Sequence, residues 1–216
     1  MNKNIRYDLI GNDWFDRNIK NLETDYKSFP LKYLINWLKE QNFPPNEKLL
    51  ELGCGPGFSL DFLSKSLQAN SFGLDASEFS VSYANRHFPH LKISQGTAGD
   101  LSKFEDNSFA LIHLGFFMYF LDDNSVKDVV SECERVLKDG GFLSILDFDV
   151  QSEEIKIDKH DKNVKIYKRD QGRAFRENFV QLNKRSFTSL LKAKLDVNEE
   201  RISLQLMLKT NEVKRK

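Results

Sequence analysis

Cysteine is scarce in this chain: Cys54 and Cys133 are the only two among 216 residues. Two distant cysteines supply neither a disulfide framework nor a zinc spacing, and no cluster of ligand residues asks for a metal. Charge of one sign is missing as well. The 32 basic residues balance 32 acidic ones, so no global field draws the protein toward nucleic acid or an anionic membrane, and a small or neutral partner is the expectation. No apolar run is long enough to span a bilayer, and the opening MNKNIRYDLI lacks the apolar core of a secretory signal. Internal repeats and low-complexity segments are absent too. The composition therefore predicts a soluble, cytoplasmic protein, a monomer or homodimer, built around one compact enzyme-sized unit.

Phenylalanine, by contrast, is abundant, with 18 in the chain; core packing accounts for most of them. From Lys48 onward short apolar runs alternate with helix-period segments, the pattern of a parallel sheet covered by helices, which makes the chain α/β. KLLEL reads as a first strand and GFSLDFLSKSL as a helix with Leu60, Leu63 and Leu67 on one face. SFGLD is a second strand, after which Ser77 caps EFSVSYANRHF, with Val81 and Ala84 facing inward. LKIS and SFALIHL are the third and fourth strands. Val126, Val129, Val130, Cys133, Val136 and Leu137 fall at helical spacing, and Gly140-Gly141 is expected to end that helix before FLSILDF forms a fifth strand. Residues 1–46 read as an N-terminal helical cap of one or two helices, with Leu31, Leu34, Ile35 and Leu38 in an apolar stripe closed by Pro44-Pro45. Residues 47–216 form the main domain. Within it, residues 150–185 read as a charged excursion or hairpin near the substrate site, followed by a last helix, RSFTSLLKAK, and a final strand, RISLQLML.

The stretch LELGCGPGFS, Leu50 to Ser59, packs glycines into the turn between the first strand and its helix. In an open parallel sheet a ligand sits outside the carboxyl ends of the strands, and this turn touches it. A dinucleotide site wants G-x-G-x-x-G, but the third position after Gly55 is Phe58. The pattern is instead Glu51-x-Gly53-x-Gly55-x-Gly57. A carboxylate aimed at the ligand is unfavourable for a pyrophosphate and suits an ammonium, so Glu51 argues against NAD.

Taken together, LLELGCGPG, GLD at Gly73 to Asp75, QGTAGDL at Gln95 to Leu101, DNSFALIHL at Asp106 to Leu114 and RVLKDGGFLSI at Arg135 to Ile145 resemble a class I S-adenosylmethionine-dependent methyltransferase over roughly residues 47–149. The resemblance implies a Rossmann-like, doubly wound, mostly parallel seven-stranded sheet with helices on both faces, and S-adenosyl-L-methionine as cofactor. It also implies that Gly53, Gly55 and Gly57 allow close backbone approach, that Glu51 lies near the methionine tail, and that Asp75 accepts the ribose hydroxyls, with a turn or capping aspartate as the other reading. Ala98 and Asp100 are expected at the adenine, and Cys54, Ala76 and Leu114 complete the cofactor set. Two positions depart from the family: Thr97 stands where an acid is commoner, and Ala110 where many relatives carry aspartate.

The acceptor is less constrained, because methyl transfer is an in-line displacement governed by positioning, with a base only when the acceptor must lose a proton. The Asn/Asp-Pro-Pro-aromatic signature of amino-methylating relatives is absent from Leu114-Gly115-Phe116-Phe117-Met118-Tyr119. His113 either faces the cleft as a base or is a satisfied core histidine. Asp147 and Asp149 lie at the rim by topology. Tyr119 and Phe116 either offer an aromatic face to a cation or pack in the core, and His160, Tyr167 and Lys168 belong to the excursion. GNDWFDRN, with GFFMYFLDD, LKDGGFLSILDFD and KIYKRD, is similar to methyltransferases of bacterial surface-glycan and nonulosonic-sugar pathways, including pseudaminic acid-associated methylases. That likeness implies Trp14, Arg17 and Asn18 over the cleft, Arg17 being suited to a carboxylate or phosphate on a sugar. The leading expectation is methylation of a small molecule or sugar precursor. Methylation of RNA or protein, a non-catalytic cofactor-binding module and a dehydrogenase are the alternatives.

Overall fold

The computed structural model describes residues 6–25, 29–150, 152–188 and 201–210. Helices α1 (Tyr7–Asp25) and α2 (Phe29–Glu40) precede β1 (Lys48–Leu52), α3 (Phe58–Leu67), β2 (Asn70–Asp75), α4 (Glu78–His87), β3 (Lys92–Gln95) and β4 (Phe109–Gly115). Then come α5 (Asp123–Val136), β5 (Leu137–Phe148), a hairpin of β6 (Glu154–Ile157) and β7 (Lys165–Lys168), and the strands β8 (Phe179–Thr188) and β9 (Arg201–Lys209). The main sheet has seven strands in the order β3-β2-β1-β4-β5-β9-β8. Its first five strands are mutually parallel, and β9 and β8 are antiparallel additions. Strand order reverses between β1 and β4, which opens a crevice at their carboxyl ends.

The central strands are buried on both faces, as parallel sheets require. Leu50, Leu52, Ile112, Leu114, Leu143 and Ile145 pack with Val126, Val129, Cys133 and Val136 of α5. The opposite face joins Leu49, Leu111, Leu204 and Leu206 to Leu34 and Leu38 of α2 and Leu60 and Leu63 of α3. Glu51, His113 and Ser144 lie in one row across β1, β4 and β5 on that second face, a polar line through an apolar layer.

Local signals explain several boundaries. Ser77 caps α4 by accepting the Ser80 N–H at 3.0 Å, and Asp122 caps α5 by accepting the Ser125 N–H at 2.8 Å. The expected end of α5 at Gly140-Gly141 is corrected. The helix stops at Val136 because Leu137 is already extended, with φ −78° and ψ 135°, and pairs with Phe109 of β4. Pairing with β4 outweighs helical spacing there, and Gly140, with φ 72°, lies inside β5. The expected helix RSFTSLLKAK is corrected in its first part: Arg185 to Thr188 continue β8, where Arg185 pairs with Leu204 and Phe187 with Ile202. Residues 189–194 fall outside the described residues.

The helix α1 lies across the carboxyl edge of the sheet. Gly11 sits so close to Ser77 that an added Cβ would lie 2.9 Å from the serine Cβ. Beside it, Asn12 Oδ1 accepts from Ser77 Oγ at 2.8 Å and from the Phe79 N–H at 3.3 Å. At the other side of the crevice the Tyr7 hydroxyl and Ser125 Oγ are hydrogen-bonded at 3.1 Å. These contacts tie α1 to the starts of α4 and α5 and roof the space between them. Among the described residues no helix is long and apolar enough to cross a membrane.

Candidate active site

The glycine turn after β1 forms the floor of that space. Its backbone is anchored to β2, where the Leu74 carbonyl accepts the Gly53 N–H at 2.8 Å and the Cys54 N–H at 3.3 Å. Gly53 has φ +69°, and a Cβ there would lie 2.6 Å from the Phe117 ring, so a side chain is excluded both by strain and by contact. Gly55 has φ +50°, and among the described residues a Cβ there would meet only the Trp14 ring, at 3.8 Å. Its missing side chain leaves open room directly over the turn. Asp75, ending β2, accepts the Gly55 N–H at 2.7 Å through Oδ2 and the Ser77 N–H at 2.8 Å through Oδ1. Burial raises the Asp75 pKa and these two bonds oppose the rise.

Glu51 is the most strained electrostatic element of the floor. It is 1% exposed. Its Oε1 accepts the Ser59 hydroxyl at 2.5 Å, and its Oε2 has no hydrogen-bond partner among the described residues. Burial pushes its pKa up to about 8, the Ser59 bond opposes the shift and the nearby Asp75 charge adds to it. Gly115 leaves the room for this carboxylate, since a Cβ there would come within 2.9 Å of Oε1.

His113, next to Glu51 in the row, contacts Ser144 Oγ through Nδ1 at 3.0 Å. Burial depresses its pKa to about 4, against a bond to the Ser144 backbone that favours the protonated ring, so the imidazole is neutral at physiological pH. Nδ1 is thus occupied by Ser144, as donor or acceptor according to the tautomer, and Nε2 is the other ring nitrogen.

The cavity above these groups measures about 310 Å³ and runs between the ends of β2 and β5 beneath α1, a size within the range of small-molecule sites. Of the residues singled out from the sequence, Trp14, Glu51, Gly53, Cys54, Gly55, Asp75, Ala76, Ala98, His113 and Tyr119 line it together. Others lie elsewhere. Gly57 is the N-cap of α3 and faces Ile93, Phe88 and Ala84. Leu114 points into the opposite core, because successive strand residues alternate faces. Asp100 is exposed and accepts the Ser102 N–H at 3.2 Å, a turn role.

The acceptor-side expectations divide in the same way. Asp147 is 2% exposed and outside the lining; its Oδ1 accepts the Phe148 N–H at 2.7 Å, and its Oδ2 has no hydrogen-bond partner among the described residues. Burial still raises its pKa to about 7. Arg17 is exposed and Asn18 donates to the Trp14 carbonyl at 2.8 Å, so neither reaches the lining. Tyr167 lies on the β6–β7 hairpin beneath the Arg169 guanidinium, 5.4 Å from its ring, also outside the lining. Asp149 is held by Ser186, Lys184 and Arg201. His160 is exposed in the hairpin turn, and Lys168 is buried with its ammonium 4.6 Å from the Phe148 ring.

Sequence reasoning missed Tyr7, Ile10, Leu22, Leu31 and Leu146, all of which line the cavity. Periodicity places Leu31 in the apolar stripe of α2, and nothing in the sequence shows which neighbours the five face. Ser144 was missed as well, since a lone serine inside a strand carries no signal until its row with His113 is known.

Comparison with known proteins agrees with this geometry. Residues 49–141 match the family described as Methyltransferase domain. An uncharacterized methyltransferase of Synechocystis sp. is 33% identical over 103 residues, covering 48% of this chain and 48% of its own length. The ubiquinone biosynthesis O-methyltransferase of Pseudomonas aeruginosa is 24% identical over 151 residues, covering 65% of this chain and 61% of its own. The chain thus spans less than two thirds of the length of these curated relatives. A Haloferax volcanii putative methyltransferase, solved with the Trm112 methyltransferase activator, shares the fold with a TM-score of 0.68 at 18% identity, covering 93% of this chain and 98% of that one. A Methanosarcina mazei S-adenosylmethionine-dependent methyltransferase does so with a TM-score of 0.66 at 16% identity, covering 81% and 98%. Residues 49–141, which carry the glycine turn and the acid-lined crevice, match the methyltransferase domain family, and the solved S-adenosylmethionine-dependent methyltransferase shares the fold.

Proposed function

We propose that the protein is an S-adenosylmethionine-dependent methyltransferase acting on a small-molecule acceptor, with residues 1–46 as a cap over the site. The observation that carries this reading is Glu51 Oε2, a buried carboxylate oxygen without a partner at the wall of a cavity floored by Gly53 and Gly55. An unpaired buried acceptor is costly unless a ligand donor satisfies it. The ammonium of a methionine tail is such a donor, and Asp75 at the β2 end offers acceptors for ribose hydroxyls. Ala76 and Ala98 supply apolar wall beside them for the adenine. The pairing of an acid at each end with a bare backbone between fits this cofactor and disfavours a pyrophosphate.

When bound, S-adenosylmethionine supplies an electrophilic methyl, whose bond to sulfur breaks with the electron pair leaving on sulfur as the acceptor's lone pair forms the new bond. The chain's own residues do the rest. The roof of α1 excludes water, Trp14 covers the turn, and His113 takes the acceptor's proton at Nε2 while Ser144 holds Nδ1. Tyr119 borders the reacting region from the short helix after β4. A sugar or glycan precursor, suggested by the weaker sequence likeness, is one acceptor within this class. The two buried free cysteines accord with action in the reducing cytoplasm.

The test is methyl transfer from isotopically labelled cofactor into a fractionated cell extract. Label in the low-molecular-weight fraction, lost with Asp75→Ala, is the expected result. Label in protein or RNA overturns the small-molecule reading, and cofactor binding without any transfer would identify a non-catalytic module.

A further inference from the structure

The cavity extends well beyond the cofactor end. Asp75 and Ala76 close β2, and Leu146 lies near the end of β5, three strands away along β2-β1-β4-β5, which is about 14 Å at the spacing of paired strands. The same cavity is walled by Leu22 of α1, Leu31 of α2, Leu146, Phe116 and Phe120, and Phe116 meets Leu146 at the β4–β5 side, where its N–H donates to the Leu146 carbonyl. Among the described residues no lysine or arginine lines the cavity. Around Tyr119 the carboxylates of Asp147 and of Asp158 on the hairpin act against the positive charge of Arg17 at the rim. A phosphate or carboxylate drawn into this space would lose its water and gain no countercharge.

Phe116 sharpens the point. It has φ +60°, a conformation that is uncommon for any residue with a side chain and costly for a bulky one. The surroundings enforce it: its N–H donates to the Leu146 carbonyl at 2.9 Å, and its ring packs edge-on against Tyr119 at 5.7 Å and Phe148 at 5.1 Å. An outlier held this firmly in a cavity wall fixes an aromatic surface at one place.

We propose that the acceptor is an uncharged, largely apolar molecule carrying a hydroxyl, seated against Phe116 between Leu22, Leu31 and Leu146, and not a phosphorylated or nucleotide-linked sugar. The inference rests on the reading of the cavity as a cofactor and acceptor site. In transfer, the acceptor oxygen forms its bond to the methyl carbon, the methyl–sulfur bond breaks with its pair going to sulfur, and the hydroxyl proton passes to His113 Nε2.

Equilibrium dialysis of the protein saturated with S-adenosylhomocysteine tests this with three probes: naphthol, naphthoic acid as its carboxylate, and UDP-glucose. Naphthol is expected to bind at least about tenfold more tightly than the other two, because only it enters without stranding a charge. Phe116→Gly, which relieves the backbone and removes the ring, is expected to weaken naphthol at least about fivefold while homocysteine-product binding stays within about twofold. Leu22→Arg, placing a cation in the cavity wall, is expected to admit naphthoate. Tighter binding of naphthoate or UDP-glucose to the unaltered protein overturns the proposal, as does a Phe116→Gly variant that keeps full naphthol affinity. Failure of S-adenosylhomocysteine itself to bind would instead remove the functional reading on which it rests.

Discussion

Asp75 Oδ2 accepts the N–H of Gly55 at 2.7 Å, so the carboxylate that borders the cavity also shapes the turn that floors it. Its other oxygen accepts the Ser77 N–H at 2.8 Å, at the cap of α4. Ligand site and local fold are therefore coupled through one side chain. Asp75→Ala leaves two backbone donors without their acceptor and is expected to lower stability by about 1–3 kcal/mol, read from urea denaturation. An unchanged midpoint and slope would show that the carboxylate does not hold the turn.

Glu51 carries a proton at neutral pH, because burial has raised its pKa to about 8. An ammonium placed against Oε2 favours the ionised form and drives that proton off. Calorimetric titration with S-adenosylhomocysteine at neutral pH, repeated in buffers of different ionisation enthalpy, should show release of close to one proton. Glu51→Gln should show none.

The same shift governs stability against pH. The folded state holds the Glu51 proton up to about 8, whereas the unfolded value is 4.5, so the folded state binds more protons across that interval and stability falls as pH rises through it. Asp147, raised to about 7 from 3.8, adds in the same direction. His113, depressed to about 4 from 6.5, acts oppositely, and its contribution grows as pH rises between those values. Above the histidine interval only the decline remains. Denaturation midpoints should fall between neutrality and mildly alkaline pH, and Glu51→Gln should flatten the fall; a midpoint that rises there contradicts the burial argument.

His113→Gln is expected to lower kcat by about two to four orders of magnitude for an acceptor that must lose a proton, with S-adenosylhomocysteine affinity nearly unchanged. Asp147→Asn, which keeps a side-chain carbonyl for the Phe148 N–H, should spare kcat, since Asp147 stands outside the cavity lining. Equal losses in both variants would remove the distinction drawn between them.

Those features were legible in the sequence whose constraint is local. The glycine turn, Asp75 at the end of SFGLD, the Ser77 cap and the Val126–Val136 face of α5 each depend on a few adjacent residues, and the alternation of strands with helices marks a parallel sheet. Positions decided by pairing were harder to read. Gly140-Gly141 looks like a helix end until Leu137 is seen to pair with Phe109. Arg185 to Thr188 look helical until β9 lies beside them. His113 and Leu114 are neighbours in one strand, yet only the first faces the cavity, because register assigns the faces. Asp147 sits at the end of β5 as topology predicts, but it is buried outside the cavity lining, with Oδ1 accepting the Phe148 N–H. The apolar wall was the least visible, since periodicity places Leu31 in an apolar stripe without showing what it covers and gives no reading of Leu22.

The most direct test of the account is calorimetric titration of the purified protein with S-adenosylhomocysteine, wild type against Asp75→Ala. Saturable binding in the micromolar range, about −8 kcal/mol, and its loss in the variant is the predicted result. A folded wild-type protein that takes up no cofactor product, or a variant that binds it as well as wild type, would contradict the assignment of this crevice.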